Sequence, residues 1–276
     1  MEEFLPLVEQ LRARLGDQLR WVALFGSCLS SQTRRAGSIP DLFASVDDLE
    51  LSLVRLDAKA RTRWLARHLP PLTLAFSGPS GSIAAKLNLI SPEQIRTVVA
   101  TQPDLYVVGR LSKHTLPLFE RDADAALERA RLVLDSSKRM VELAFKSLPR
   151  SCSVEDVVRR CVGLSFASEP RPEWPEKIAA LFDAFAPVYL ERLGPLVLEH
   201  ARQLGIHERN GVLNDERDEN VRRSEARSLR VTLFRSKLRT LMRWPKQMLV
   251  YRGWLPYVLG KLRRARSIAA TAPVRS

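Results

Sequence analysis

Gly26 and Ser27 end an apolar run, residues 21–25, and Asp41 opens a second apolar run fourteen residues after Ser27. A glycine at such a turn lets backbone N–H groups approach phosphate oxygens with no Cβ in the way, and the serine hydroxyl can donate to the same oxygens. An aspartate at the head of the next strand is a natural carboxylate for Mg²⁺, which bridges triphosphate oxygens and offsets their charge. Together these residue types suit nucleotidyl transfer, attack on the α-phosphorus of a nucleoside triphosphate. A second acid two residues after the first would strengthen the pattern, but that position is Phe43. The next acids are Asp47 and Asp48.

These side chains need elements to hold them. Residues 3–19 place Phe4, Leu5, Val8, Leu11, Leu15 and Leu19 at helical spacing. Residues 21–25, 41–46, 72–76, 84–90 and 105–108 predict strands, the last ending at Gly109-Arg110-Leu111-Ser112-Lys113. Residues 55–68 predict a helix stopped by Pro70 and Pro71, and Ser91 to Gln94 carries a helix-start signature. Residues 1–118 therefore form an α/β domain. Beyond it, residues 123–146 predict a long helix, Ser153 caps another, and residues 176–204 predict a third. The polar stretch 207–223 predicts a linker. The expected organisation is a helical domain over 119–210 that closes the site, followed by a linker and basic amphipathic tail over 211–276.

The chain has 276 residues, 45% hydrophobic and 27% charged, within the range of globular proteins. Cys28, Cys152 and Cys161 lack metal-ligand spacing and argue against a disulfide scaffold. The acidic N-terminus is unlike a signal or transit peptide, and no stretch predicts a membrane span. Charge is uneven: residues 221–276 hold 15 Lys/Arg and one acid, Glu225, whereas the preceding 220 hold 29 bases and 30 acids. Within the tail, Val231, Phe234, Leu238, Leu241 and Met242 recur at helical spacing, flanked by Arg230, Arg235, Lys237, Arg239 and Arg243. Trp254, Tyr257 and Lys261 to Arg264 add aromatics and charge further on. Such a helix either lies on an anionic bilayer or packs on the main domain.

The order of strand, Gly-Ser turn and strand with a leading acid is that of polymerase-β-type nucleotidyltransferases. More specifically, the chain resembles the translocator assembly and maintenance family of mitochondrial-type CDP-diacylglycerol synthases (phosphatidate cytidylyltransferases). Four stretches carry the likeness: Phe25 to Ser27 with Pro40 to Asp48; Ala85 to Asn88; Asp104 to Lys113, close to a Gly-Arg-Leu-x-Lys signature; and Leu164 to Arg171 with Glu173 to Lys177. That family also lacks the second acid of the strand. Departures are Ser168 for its Gly, Glu169 for its Asp and Trp174 for its Asn, and only His68 remains of its His- and Asn-rich segment.

The resemblance implies an α/β (α+β) nucleotidyltransferase domain, a mainly helical domain and a basic tail. It implies CTP and phosphatidic acid as substrates, Mg²⁺ as cofactor, and CDP-diacylglycerol and pyrophosphate as products, a step of phospholipid biosynthesis. Gly26 and Ser27 then contact the triphosphate, and Asp41 holds the metal, with Asp47 as a second ligand or Asp48 helping through water. Lys86, Arg110 and Lys113 clamp phosphate, and Glu169 with Arg171 closes the site. The tail, residues 224–276, meets an anionic membrane surface, placing a bacterial-type relative in the cytoplasm at the inner face of the cell membrane, with no nucleic-acid partner.

Plainer roles compete with each assignment. Lys86, Arg110 and Lys113 would be surface bases, Glu169 and Arg171 a loop pair, Asp47 and Asp48 caps, and His68 and His114 incidental. The alternatives for the whole chain are a nucleotidyltransferase acting on RNA or another acceptor, and an inactive membrane or RNA adaptor.

Overall fold

A computed structural model of the protein describes residues 2–29, 39–66, 70–77, 83–101, 104–169 and 175–250. Helix α1 (Leu5–Leu15) leads into strand β1 (Leu19–Phe25), which pairs antiparallel with β2 (Asp41–Val46). After α2 (Leu49–Arg55) and α3 (Ala60–Ala66), strands β3 (Leu72–Ser77) and β4 (Ile83–Ile90) form an antiparallel pair, and β4 runs parallel to β2. Helices α4 (Pro92–Thr101) and α5 (Leu105–Leu111) precede β5 (Thr115–Glu120), which pairs antiparallel with β1. The result is an α/β architecture on a mixed sheet in the order β3-β4-β2-β1-β5.

Strand side chains alternate between the two sheet faces. Leu42, Ala44 and Val46 of β2 and Ala85, Leu87 and Leu89 of β4 join the apolar layer that includes Leu11 and Leu15 of α1 and Leu53 of α2. Phe43 faces the other way, with Trp21, Ala23 and Phe25 of β1, Ile90 of β4, Ile95 and Val98 of α4, and Tyr106, Val107 and Leu111 of α5. By the same period, Asp41 and Lys86 lie on the α5 side of the sheet.

The helical part follows as α6 (Ala123–Phe145), β6 (Ser151–Ser153), α7 (Val154–Ala167), α8 (Pro175–Ala184), α9 (Ala186–Gln203), β7 (His207–Arg209), β8 (Val212–Asn214) and α10 (Glu219–Val250). Ser153 and Asp156 form a reciprocal capping box that starts α7, as the sequence predicts. A separate apolar core joins Val108 of α5, Met140, Val141 and Leu143 of α6, Val157, Val158 and Cys161 of α7 and Tyr189, Leu193 and Val197 of α9.

Three expectations change. Residues 105–108 belong to helix α5 rather than a strand. Asp104 caps that helix by accepting from the Tyr106 N–H, and Leu105 to Gly109 and Leu111 are all buried, so the run shows no polar face from which to read a period. The strand that completes the sheet is β5, a few residues later. The helix predicted over 55–68 is shorter: α2 already ends at Arg55, Asp57 after it adopts a positive φ of 56°, and α3 begins at Ala60. The linker read in 207–223 is folded instead: β7 and β8 make a hairpin through Asn210 and Gly211, both with positive φ, and β8 pairs with β6. Arg217 then ties Asp215 to Glu225 at the start of α10.

Gly109 is required by packing. A Cβ there would stand 3.1 Å from both Cα and Cβ of Ser165, so α5 and α7 meet at glycine distance. Gly109→Ala is expected to lower stability by about 1–3 kcal/mol through overpacking. Denaturant unfolding measures it, and a wild-type midpoint would contradict the close approach.

Candidate active site

One row across the sheet brings several of the expected residues together. Thr115 of β5 pairs with Phe25 of β1, Phe25 with Asp41 of β2, and Asp41 with Lys86 of β4. Strands lie about 4.8 Å apart, so Asp41 and Lys86 are neighbours by construction. Lys86 Nζ stands 3.5 Å from Asp41 Oδ1. Gly26 turns the chain immediately beyond Phe25 with φ +84°, a conformation that suits glycine. Its missing Cβ would lie 3.5 Å from Asp41 Oδ2, so the turn sits directly against the carboxylate. Ser27 follows within the short 3₁₀ turn Gly26–Leu29.

Arg110, on the last turn of α5, approaches the same end of the sheet. Its guanidinium lies 3.7 Å from the Tyr106 ring centroid and 5.6 Å from that of Phe25, within cation–π range. It donates to Glu169 at 2.6 Å, just beyond the end of α7, so α5 and the end of α7 meet at this ion pair. Burial opposes the charge on Arg110, but Tyr106, Glu169 and Asp41 overcome that and raise its pKa. The group is a fixed cation beside Asp41.

The structure gathers Gly26, Asp41, Lys86, Arg110 and Glu169. Lys113 follows α5 with its Nζ 4.0 Å from the Phe166 ring centroid, on α7. His114 packs against Phe185 with the rings tilted, and burial and then Arg192 lower its pKa. Glu169 pairs with Arg110. Arg171, its expected partner, lies outside the described residues, as do Trp174 and His68.

Asp47 is not brought to this site. It follows β2 at the end away from Asp41, six residues along, roughly 20 Å at the usual strand rise. There it is held by Arg20 at 2.7 Å and by Arg121. Burial alone would raise its carboxyl pKa, but hydrogen bonds and charge from Arg121 and Arg20 outweigh it and hold the pKa below the usual value. Asp48 caps α2, accepting from the N–H groups of Glu50 and Leu51. A cleft lined by Asp47, Asp48, Glu50, Arg63 and Gln94 opens at this far end. Its acidic rim disfavours a triphosphate.

Comparison with protein-family models and with curated proteins gives no match. The site therefore rests on its own geometry. Position 43, where a second acid would stand, is closed: Phe43 is buried in the core beneath the site, its ring 5.0 Å from that of Phe25. Among the described residues no three His, Cys, Asp or Glu side chains cluster to hold a metal. One partly exposed carboxylate, Asp41, fits Mg²⁺ held mainly by triphosphate oxygens and water, a common arrangement in nucleotide sites.

Sequence reasoning missed Tyr106 and its role. The ring bears on Arg110, and its hydroxyl lies 3.5 Å from Asn88 Oδ1, whose amide donates to the Leu42 carbonyl of β2. The signal was available in the one-turn spacing of Tyr106 and Arg110, but only once 105–111 is read as a helix.

Helix α10 differs from its expected form. The stripe of Val231, Phe234, Leu238, Leu241 and Met242 is exposed, Phe234 to 66%. The opposite face packs on the protein through Leu229, Ser236, Thr240 and Arg243. Arg239 and Arg243 both reach Asp104, so they are withdrawn from the basic flank, while Arg230, Arg235 and Lys237 are exposed. Residues 251–276, including Trp254 and Tyr257, lie outside the described residues. No described helix is long and apolar enough to cross a membrane.

Proposed function

We propose that the chain is a peripheral-membrane nucleotidyltransferase, a phosphatidate cytidylyltransferase that converts CTP and phosphatidic acid into CDP-diacylglycerol and pyrophosphate. The observation that carries the reading is the row of Gly26, Asp41 and Lys86 beneath Arg110. Gly26 presents backbone to the triphosphate, with Ser27 beside it. Lys86 and Arg110 offset phosphate charge from two sides, and Lys113 stands one turn further on. Mg²⁺, held by Asp41 and the triphosphate, supplies further charge neutralisation when bound.

A phosphate oxygen of the lipid attacks the α-phosphorus and forms the new P–O bond. The bond to the β-phosphate bridging oxygen breaks, and pyrophosphate leaves with its electron pair. The attacking phosphate is already anionic near pH 7, so no strong base is needed. Alignment and charge neutralisation carry the acceleration.

The outward apolar face of α10 favours a lipid acceptor over the second reading, a nucleic acid. A single-stranded partner would call for exposed aromatic platforms along a basic groove, whereas four of the five exposed stripe residues are aliphatic or Met. Three exposed bases beside that face suit anionic headgroups, each contributing on the order of 1 kcal/mol.

The deciding assay combines full-length protein, Mg²⁺, labelled CTP and phosphatidic acid in mixed micelles, with ATP and GTP as controls. CDP-diacylglycerol is the expected product. Nucleotide transfer to RNA alone would transfer the reading to the nucleic-acid acceptor, and no transfer to any acceptor would leave an adaptor.

A further inference from the structure

Asp104 is fully buried and Arg243 is 1% exposed, and the two form an ion pair between the N-cap of α5 and the far part of α10. Arg243 also donates to the Pro70 carbonyl at 2.6 Å, just before β3. Its guanidinium lies 4.9 Å from the centroid of the Tyr106 ring. Arg110 lies against the same ring at 3.7 Å. One tyrosine therefore takes a cation from α10 and a cation of the site. Buried ion pairs often add little net stability, and one attested use of them is to fix a single arrangement.

A second connection runs through Ser236 of α10. Its hydroxyl accepts from the Leu105 N–H at 3.0 Å and donates to the Ser168 carbonyl at 3.3 Å. Leu105 begins α5, and Ser168 immediately precedes Glu169. Helix α10 thus holds both groups that orient Arg110: Tyr106 through Arg243, and the Glu169 backbone through Ser236.

We propose that α10 is a positioning element of the active site, in which Arg243 and Ser236 set the Arg110 guanidinium beside Asp41 through Tyr106 and Glu169. The helix that presents the exposed apolar stripe is then the helix that orients the site's cation. This inference rests on the nucleotidyltransferase reading for its kinetic consequence, but its structural part stands without it.

The test uses the full chain with Arg243→Leu, Arg243→Lys, Tyr106→Leu, Tyr106→Phe and the double variant Arg243→Leu/Tyr106→Leu. In the assay above, Arg243→Leu and Tyr106→Leu are each expected to lower kcat between about tenfold and a hundredfold, the effect of a misplaced group, with KM for CTP within about twofold. The double variant should be no worse than the poorer single one, because both break one connection. Tyr106→Phe keeps the ring and should retain kcat, and Arg243→Lys should recover part of it. Hydrogen exchange at the amides of residues 105–111 gives a readout without turnover: Arg243→Leu should accelerate it, and Arg230→Leu, on the exposed flank, should not.

Additive losses in the double variant, or wild-type kcat in a folded Arg243→Leu, would overturn the proposal. Should Arg243→Leu fail to fold, Tyr106→Leu against Tyr106→Phe decides it, equal kcat in the two being the overturning result. If the wild type turns over no CTP, the functional reading falls and exchange alone decides the coupling, unchanged exchange in Arg243→Leu overturning it.

Discussion

Asp41→Asn is expected to lower CTP turnover by two to three orders of magnitude, about the loss seen when a single preorganised charge-stabilising group is removed from an active site. The argument is geometric. Asp41 is the carboxylate that faces the Gly26 turn, and it pairs with Lys86 across the parallel β2–β4 ladder. The next residue on its face is buried Phe43, so no neighbouring acid on the strand can substitute. Its side chain is partly exposed, and the unfolding midpoint should remain near that of the wild type.

Asp47→Asn is the contrasting variant. Asp47 stabilises the far end of the sheet through Arg20 and Arg121, and its carboxyl pKa is depressed in the folded state. A depressed folded pKa contributes stability that is fully present above the unfolded value and is lost as pH falls through the folded one. Asp47→Asn should therefore be less stable than wild type near neutrality, with the gap closing in acid, while turnover stays within about twofold. Equal loss of turnover in the two variants would show that the second carboxylate reaches the site after all.

The second large effect concerns α10. Phe234→Glu combined with Leu238→Glu is expected to abolish sedimentation with phosphatidic acid vesicles at moderate salt. Burying such a side chain contributes about 1.5–3 kcal/mol, so losing two weakens binding by at least roughly a hundredfold before any repulsion from the new charges. Both residues are exposed on the folded protein, so thermal stability should hold. Removing the whole tail from residue 224 would be a poorer test, because Leu229, Ser236 and Arg243 belong to the packed structure. Undiminished sedimentation of the double variant would assign membrane contact elsewhere.

The strands β1, β2, β3 and β4 were legible because each is a short apolar run bounded by turn residues. The cap at Ser153 was legible because its chemistry is local. Helix α5 was not, since a run buried on all sides carries no polar marker of its period. Type and spacing pointed to Gly26, Ser27 and Asp41, and the family resemblance to Lys86, Arg110 and Glu169, which the structure brings near Asp41. Asp47 was misplaced, because sequence proximity to Asp41 becomes separation when the intervening residues form a strand. The packed face of α10 was hidden for another reason. Its buried residues, Ser236, Thr240 and Arg243, are more polar than the exposed stripe, so hydropathy identifies the outward face instead. Partners distant in sequence explain why that polar face is inside: Asp104, 139 positions away, for Arg243, and the Leu105 N–H and Ser168 carbonyl for Ser236.

That long separation has a consequence for how the protein is made. Chains are synthesised from the N-terminus and begin to fold in that order. Until residue 243 leaves the ribosome, the carboxylate of Asp104 has no guanidinium to meet, and an unpaired charge cannot be buried cheaply. The start of α5 is therefore expected to complete its burial only once α10 has been made. On the proposal that α10 orients Arg110, the guanidinium is set beside Asp41 only once the helix bearing the outward apolar stripe has formed.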